Sequence, residues 1–208
     1  DLAGAQGRRP RSDRGAALRV ILALLLALQD PQSPPPSASV PRIEAEVRVD
    51  GVLDEPVRSR AARLSGFHQY QPVDGRPAEE RTEVLVWYDP TSIHFGIVAH
   101  DRSPGTIRAT VADRDRIGSD DKVVLYLDTF NDRRRAFVFG VNPLGIQEDG
   151  VLSEGSGSGA GNLFGAGLDR SPDFIWQSRG QVSDSGYVRE IRIPFKSLRY
   201  AGSNPVRM

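Results

Sequence analysis

Residues 81–100, RTEVLVWYDPTSIHFGIVAH, constrain the chain more than any other stretch. Two largely apolar runs, Arg81–Tyr88 and Ile93–His100, flank Asp89-Pro90-Thr91-Ser92. A four-residue loop of that composition between β-branched and aromatic runs predicts a β-hairpin. Val84, Leu85, Val86 and Trp87 are apolar without alternation. Both faces of that strand therefore need cover, which places it inside a layered sheet and makes Trp87 a core side chain.

The rest of the pattern is similar. Glu44–Val49 predicts a strand ending at the turn pair Asp50-Gly51, and Lys122–Phe130, Arg135–Val141, Phe174–Val182 and Tyr187–Ile193 predict four more. Leu53–Leu64 predicts a helical turn or two, with Asp54 and Glu55 preceding Pro56 in the order of a cap and first turn. Pro194–Leu198 predicts a short helical turn. Outside the N-terminal segment, no long stretch has a 3.6-residue period. Short strands at this spacing predict an all-β fold, an antiparallel β-sandwich of jelly-roll type, whose last strands are expected beyond Met208. Ser153–Asp169, rich in Gly and Ser, reads as a surface loop between strands.

Residues 8–29 hold Arg8, Arg9, Arg11 and Arg14 and then the apolar run Val20–Leu28. That run is far short of the ~20 residues of a membrane-spanning helix. A basic stretch before a short apolar one predicts a secretory signal peptide over 1–29. Residues 30–41, dense in Pro and Ser, read as an extended linker, and the folded domain is expected over 42–208.

Composition removes several functions. Lys and Arg number 27 and so do Asp and Glu, so no basic excess points to nucleic acid. Without cysteine there is no disulfide, thiolate metal site or cysteine nucleophile. No nucleophile-elbow motif or phosphate-cradling glycine pattern occurs. His94 and His100 share a strand face, but at six residues' separation they lie ~20 Å apart and cannot share an ion. No catalytic set is expected. The segment Asp113–Val124 starts like a calcium loop, with Asp113, Asp115 and Gly118 at its first, third and sixth positions. Ile117 and Val124 then fail as ligands at the fifth and twelfth. Two readings stay open: calcium held loosely by Asp113, Asp115, Asp120 and Asp121, or an ion-pair loop completed by Arg114 and Arg116.

An aromatic ring with polar neighbours suits a sugar, because the ring stacks on pyranose C–H faces while the neighbours bind hydroxyls. Trp176, next to Gln177 and near Arg179, is a candidate platform as well as a candidate core residue. Asn142 and Gln147, at the polar edge after the Arg135–Val141 strand, are candidate sugar contacts. Gln147–Asp149 reads as a polar loop that serves as a rim, a docking surface or a solvated turn.

Four blocks, VDGVLDEP (49–56), residues 81–101, SDDKVVLYLDTFNDRRRAFVFGVNPLGIQEDG (119–150) and GYVREIRIPFKSLRY (186–200), resemble in order the family 9 carbohydrate-binding module. The resemblance is closer still to the version at the N-terminus of large bacterial proteins whose C-terminal part looks like an outer-membrane β-barrel. It implies a β-sandwich, export to the periplasm or outer membrane, an attached barrel as partner, and binding of a polysaccharide or oligosaccharide. The sugar-binding members' Trp before the SDDKVVLYLD strand is Gly118-Ser119 here, their sugar-contacting Glu aligns with Val124, and their sugar-contacting Arg aligns with Gly140. The resemblance leads to three expectations: a non-catalytic carbohydrate-binding module, a periplasmic accessory domain packed on a barrel without sugar, or part of a glycoside hydrolase acting on xylan-type polysaccharide.

Overall fold

The apolar runs pair into two antiparallel sheets. The computed structural model describes residues 37–54, 56–153 and 168–200. The chain divides into Asp1–Ser37 and Ala38–Met208, and all that follows concerns the second unit. The expected signal peptide and most of the linker lie outside the described residues, as do residues 154–167 of the glycine-rich segment.

Among the described residues the strands are β1 (Ala62–Leu64), β2 (Thr82–Tyr88), β3 (Ser92–His100), β4 (Val123–Leu127), β5 (Arg135–Val141), β6 (Gln147–Ser153), β7 (Leu168–Asp169), β8 (Gln177–Ser183) and β9 (Gly186–Pro194). One sheet has the order β1-β2-β3-β9-β8 and the other β4-β5-β6-β7. The helical turns are single 3-10 turns at Pro56–Ser59, Pro104–Thr106 and Phe195–Ser197. The all-β antiparallel sandwich expected from the strand pattern is the architecture found.

Register explains the core. Val86 pairs with Phe95, Phe95 with Ile191, and Ile93 with Ile193, so one face of the first sheet is aliphatic and aromatic. In the second sheet Leu125 pairs with Phe139 and Val123 with Val141. These side chains meet in the interlayer core with Trp176 and Leu198. Burying each large side chain of this kind stabilises the fold by about 1.5–3 kcal/mol. On the other face of β2, Leu85 and Trp87 pack with Ile43 and Val57 in a second cluster. Leu53 closes over Gly96, where a Cβ would sit 2.7 Å from its Cδ2. The chain from Ile43 to Ala61 thus covers the outside of the first sheet, which is why Val84–Trp87 is apolar on both faces.

Local expectations change at several points, and the strand expected over Phe174–Val182 begins only at Gln177. Glu44–Val49 forms no strand, since its Glu and Arg side chains are exposed and only Arg42 bridges to Tyr88. The strand begun at Val123 stops at Leu127 because Asp128 accepts the N–H groups of Phe130, Asp132 and Arg133 and turns the chain. Gln147–Asp149, expected as a loop, opens strand β6.

The β2–β3 turn carries a pH prediction. Asp89 Oδ1 accepts from Thr91 N, Thr91 Oγ1 and Ser92 N, and Oδ2 lies 2.8 Å from His94 Nε2. The His94 ring stacks on Trp87 at 5.1 Å. Burial raises the Asp89 carboxyl, but hydrogen bonds from His94 and Thr91 outweigh it and hold it at about 2, below its ordinary 3.8. A depressed folded pKa gives stability that is full above pH ~4 and lost as pH falls toward 2, worth about 2 kcal/mol. Urea unfolding at pH 6 and pH 2.5 checks this: Asp89→Asn is expected to be less stable at pH 6, with the gap narrowing in acid. Equal stability at pH 6 would refute it.

Candidate functional site

Alternation along β6 decides which polar groups face where. Gln147, Asp149 and Val151 turn toward the other sheet, while Glu148 and Gly150 turn outward. Inward Asp149 is 1% exposed and accepts from Arg114 Nε (2.9 Å), Arg114 Nη2 (2.6 Å) and Phe174 N (2.8 Å). Its own N–H donates to Asp115 Oδ1 at 3.0 Å. Arg114 also donates to Gln147 Oε1 and to the Phe174 carbonyl. A segment as polar as Gln-Glu-Asp can be a strand because the 113–116 loop folds onto it and satisfies its charge.

The sugar contacts expected from sequence are joints of the interior. Trp176 is 5% exposed, with its ring edge-on to Phe139 at 5.3 Å, so it offers no free face to a sugar. Asn142 is fully buried: its Nδ2 donates to the Thr110 carbonyl and Asp120 Oδ2, and its Oδ1 accepts from Leu144 N and Ile146 N. Nothing of the amide is left for a ligand. Gln147 Nε2 donates to the Trp176 carbonyl and Ser178 Oγ. Gln147 borders an open depression of roughly 260 Å³ shared with Arg114, Ile146, Ser178 and Arg179. Its amide is already engaged on both sides.

The four candidate calcium ligands are separated. Asp120 accepts from Thr110 N, Thr110 Oγ1 and Asn142 Nδ2, and the Asn142 bond above all holds its carboxyl below the usual range. Asp121 accepts from Arg108 N. Asp115 groups instead with Asp149 and Asp173, one oxygen of each within 4.8 Å of the others. Among the described residues no three of Asp113, Asp115, Asp120 and Asp121 form such a group, and Asp113 takes part in none. The Arg114 guanidinium pairs with Asp149 at 2.6 Å and approaches Asp173 at 3.8 Å, supplying positive charge where a cation would sit. Arg114 forms its ion pairs with Asp149 and Asp173, beyond the loop's own aspartates, and the residues do not fit the four-aspartate calcium site.

A different cluster lies on the outer face of the four-stranded sheet. Val124 pairs with Gly140 and Gly140 with Glu148, so the two positions aligned with sugar-contacting residues fall in one row across three strands. A Cβ on Gly140 would stand 2.5 Å from Glu148 Cγ; only glycine lets Glu148 lie across β5. Lys122 Nζ reaches Glu148 Oε1 at 2.6 Å, with side chains 16% and 4% exposed. In the neighbouring row, two residues along β4 from Val124, Tyr126 is 40% exposed, and burial together with the Glu148 charge pushes its phenol up. Lys122 and Tyr126 carry no signal in the sequence, and Glu148 stands there only as part of the Gln147–Asp149 loop, because their meeting depends on β6 being a strand. The signal for it, alternation of Gln147, Asp149 and Val151, was masked by polarity.

One buried charge stands apart. Arg189 of β9 has no exposed surface, donates from Nε to the Asn142 carbonyl at 2.9 Å and stacks its guanidinium 4.0 Å from the Tyr187 ring. Burial pushes it down to about 10, opposed by Tyr187 and Asp121. It anchors the Asn142 turn from below.

With this geometry in place, the fold can be set beside known structures. A family 9 carbohydrate-binding module from Caldicellulosiruptor kristjanssonii in complex with glucose superposes with a TM-score of 0.50 at 12% identity, over 79% of this chain and 72% of that one. The chain shares the fold of that module. The same organism's family 9 module in complex with cellotriose gives a TM-score of 0.49 at 12% identity over 74% of this chain. Of this second structure the chain spans 66% of the length. No protein-family model and no curated protein matches the sequence.

Proposed function

We propose that the chain is a non-catalytic carbohydrate-binding module of an exported bacterial protein, and that it takes a sugar on the outer face of its four-stranded sheet. The observation that carries this is the Lys122–Glu148 pair beside Tyr126. Where the resemblance places a sugar-contacting carboxylate and cation at 124 and 140, this chain has Val124 and Gly140. Neighbouring positions in the same patch supply both charges instead. The half-exposed Tyr126 ring and the edge of the Lys122 ammonium are the groups a neutral sugar can reach, the ring stacking on C–H faces and the ammonium donating to hydroxyls, while Glu148, 4% exposed, holds Lys122 in place. Glucose, bound by the family 9 module of like fold, is the first ligand to try, with cello- and xylo-oligosaccharides beside it.

The signal-like N-terminal segment supports export, to the periplasm or outer membrane, and an outer-membrane barrel as attached partner belongs to the same proposal. Any cleavage of O-glycosyl bonds would be the work of an attached region. The burial of Trp176 and Asn142 favours one second reading, an accessory domain that packs on the barrel without sugar.

Calorimetric titration separates the two. Saturable binding is expected from the 208-residue chain. In Tyr126→Ala the loss of the exposed ring, about 0.5–1.5 kcal/mol, weakens it roughly twofold to tenfold. A chain with a cooperative melt that gives no heat with any of these sugars would overturn the carbohydrate reading and leave the accessory one.

A further inference from the structure

We propose that β4 is an interface strand, on which two copies of the chain pair edge to edge about a two-fold axis through Leu125. The argument begins with the edges of the two sheets. β1 has three residues and β7 two, too short to template a partner. β8 is longer, but Gln177, Arg179 and Gln181 are exposed along it. The Gly145 turn also crosses β8 closely enough that a Cβ there would lie 2.8 Å from Gly180 N. β4 has none of these protections. It is Val-Val-Leu-Tyr-Leu, without charge, proline or glycine, and among the described residues it pairs with β5 alone. An apolar edge strand of this kind is a template for another strand.

The sequence selects the occupant. Lys122-Val-Val-Leu-Tyr-Leu-Asp128 is complementary to itself when reversed. Antiparallel pairing centred on Leu125 sets Val123 opposite Leu127, Val124 opposite Tyr126, and Lys122 opposite Asp128 at both ends. The side-chain faces rather than these charges hold the register, since Lys122 already bonds Glu148 and the Asp128 carboxylate caps the turn after β4. Val123, Leu125 and Leu127 stay on the core side in both copies, and Val124 and Tyr126 stay outside, whereas a slip of one residue would turn every side chain to the wrong face. The contact is isologous and closes after two copies.

Pairing would join the two four-stranded sheets and bring the two outer faces side by side. If each binds sugar as proposed above, the dimer holds two sites on one surface and gains avidity for a polymer. The interface itself does not depend on the carbohydrate reading, so the failure of one leaves the other standing.

The chain has no cysteine, so a single introduced thiol reports one distance. Leu125→Cys would face its own copy at about 4.5–5.5 Å between Cα atoms, within disulfide reach. Val123→Cys would stand four residues from its own copy, ~13 Å away and out of reach. Sedimentation equilibrium of the unmodified chain is expected to show a dimer. Mild oxidation is expected to link Leu125→Cys covalently and leave Val123→Cys unlinked, while Val123→Cys mixed with Leu127→Cys yields the linked pair. The mixed experiment decides the matter if Leu125→Cys fails to fold. A chain that sediments as a monomer at every concentration overturns the proposal, and so does a dimer in which Val123→Cys links alone or the mixed pair does not link.

Discussion

Trp176→Ala is expected to lower the stability of the domain by about 3–5 kcal/mol, the range for removing a large aromatic from a packed core. The ring is 5% exposed, lies edge-on to Phe139 and belongs to the cluster that joins the two sheets. Its removal leaves a cavity between the layers that rigid strands on both sides cannot close. Against a total of about 5–15 kcal/mol, this is a large fraction of what holds the fold together. Trp176→Phe should restore most of it, within about 1.5 kcal/mol of the parent. Among the described residues the indole N–H has no partner, so the phenyl ring forfeits no hydrogen bond. Urea unfolding of the three chains is the measurement. A Trp176→Ala chain with the parental midpoint would return this residue to the surface and to the list of sugar platforms.

Asp149→Ala should cost a similar amount, about 3–5 kcal/mol, by another route. The carboxylate is 1% exposed and receives two nitrogens of Arg114 and the Phe174 N–H. Without it, a guanidinium and an amide lose their acceptor in a partly buried place, and breaking a buried pair from one side is far more costly than never having had it. The melting temperature is expected to fall on the order of 10 °C, at ~2–4 °C per kcal/mol for a domain of this size. Asp149→Asn, which keeps an acceptor oxygen, should fall about half as far. A drop of only a degree or two in the alanine variant would mean that water takes over the task, and that the 113–116 loop is not held by this pair.

Both predictions concern residues whose place was hard to read in the sequence, and the reason is the same in each. Trp176 is followed by Gln177, Ser178 and Arg179, and that local polarity makes it a candidate for the surface as well as for the core. In the fold the segment leading into β8 turns Trp176 inward, while Ile175 is 72% exposed. Asp149 sits in a Gln-Glu-Asp run that reads as a loop by composition. It is buried because Arg114, thirty-five residues earlier, reaches it. The carboxylate of Glu148 is likewise legible only through Lys122 on another strand and the missing side chain of Gly140 between them.

What the sequence by itself determined is the part that rests on local pattern. The runs at 81–88 and 93–100 became β2 and β3, the doubly apolar Val84–Trp87 found cover on both faces, and the β-sandwich followed from strand spacing. Apolar alternation is written along the chain and needs only the nearest residues to be read. Tertiary structure alone decided which polar groups are buried. A buried Asp, Glu, Asn or Arg is tolerated only where a distant partner neutralises or hydrogen-bonds it, and the identity of that partner is set by register between strands rather than by any neighbour in sequence.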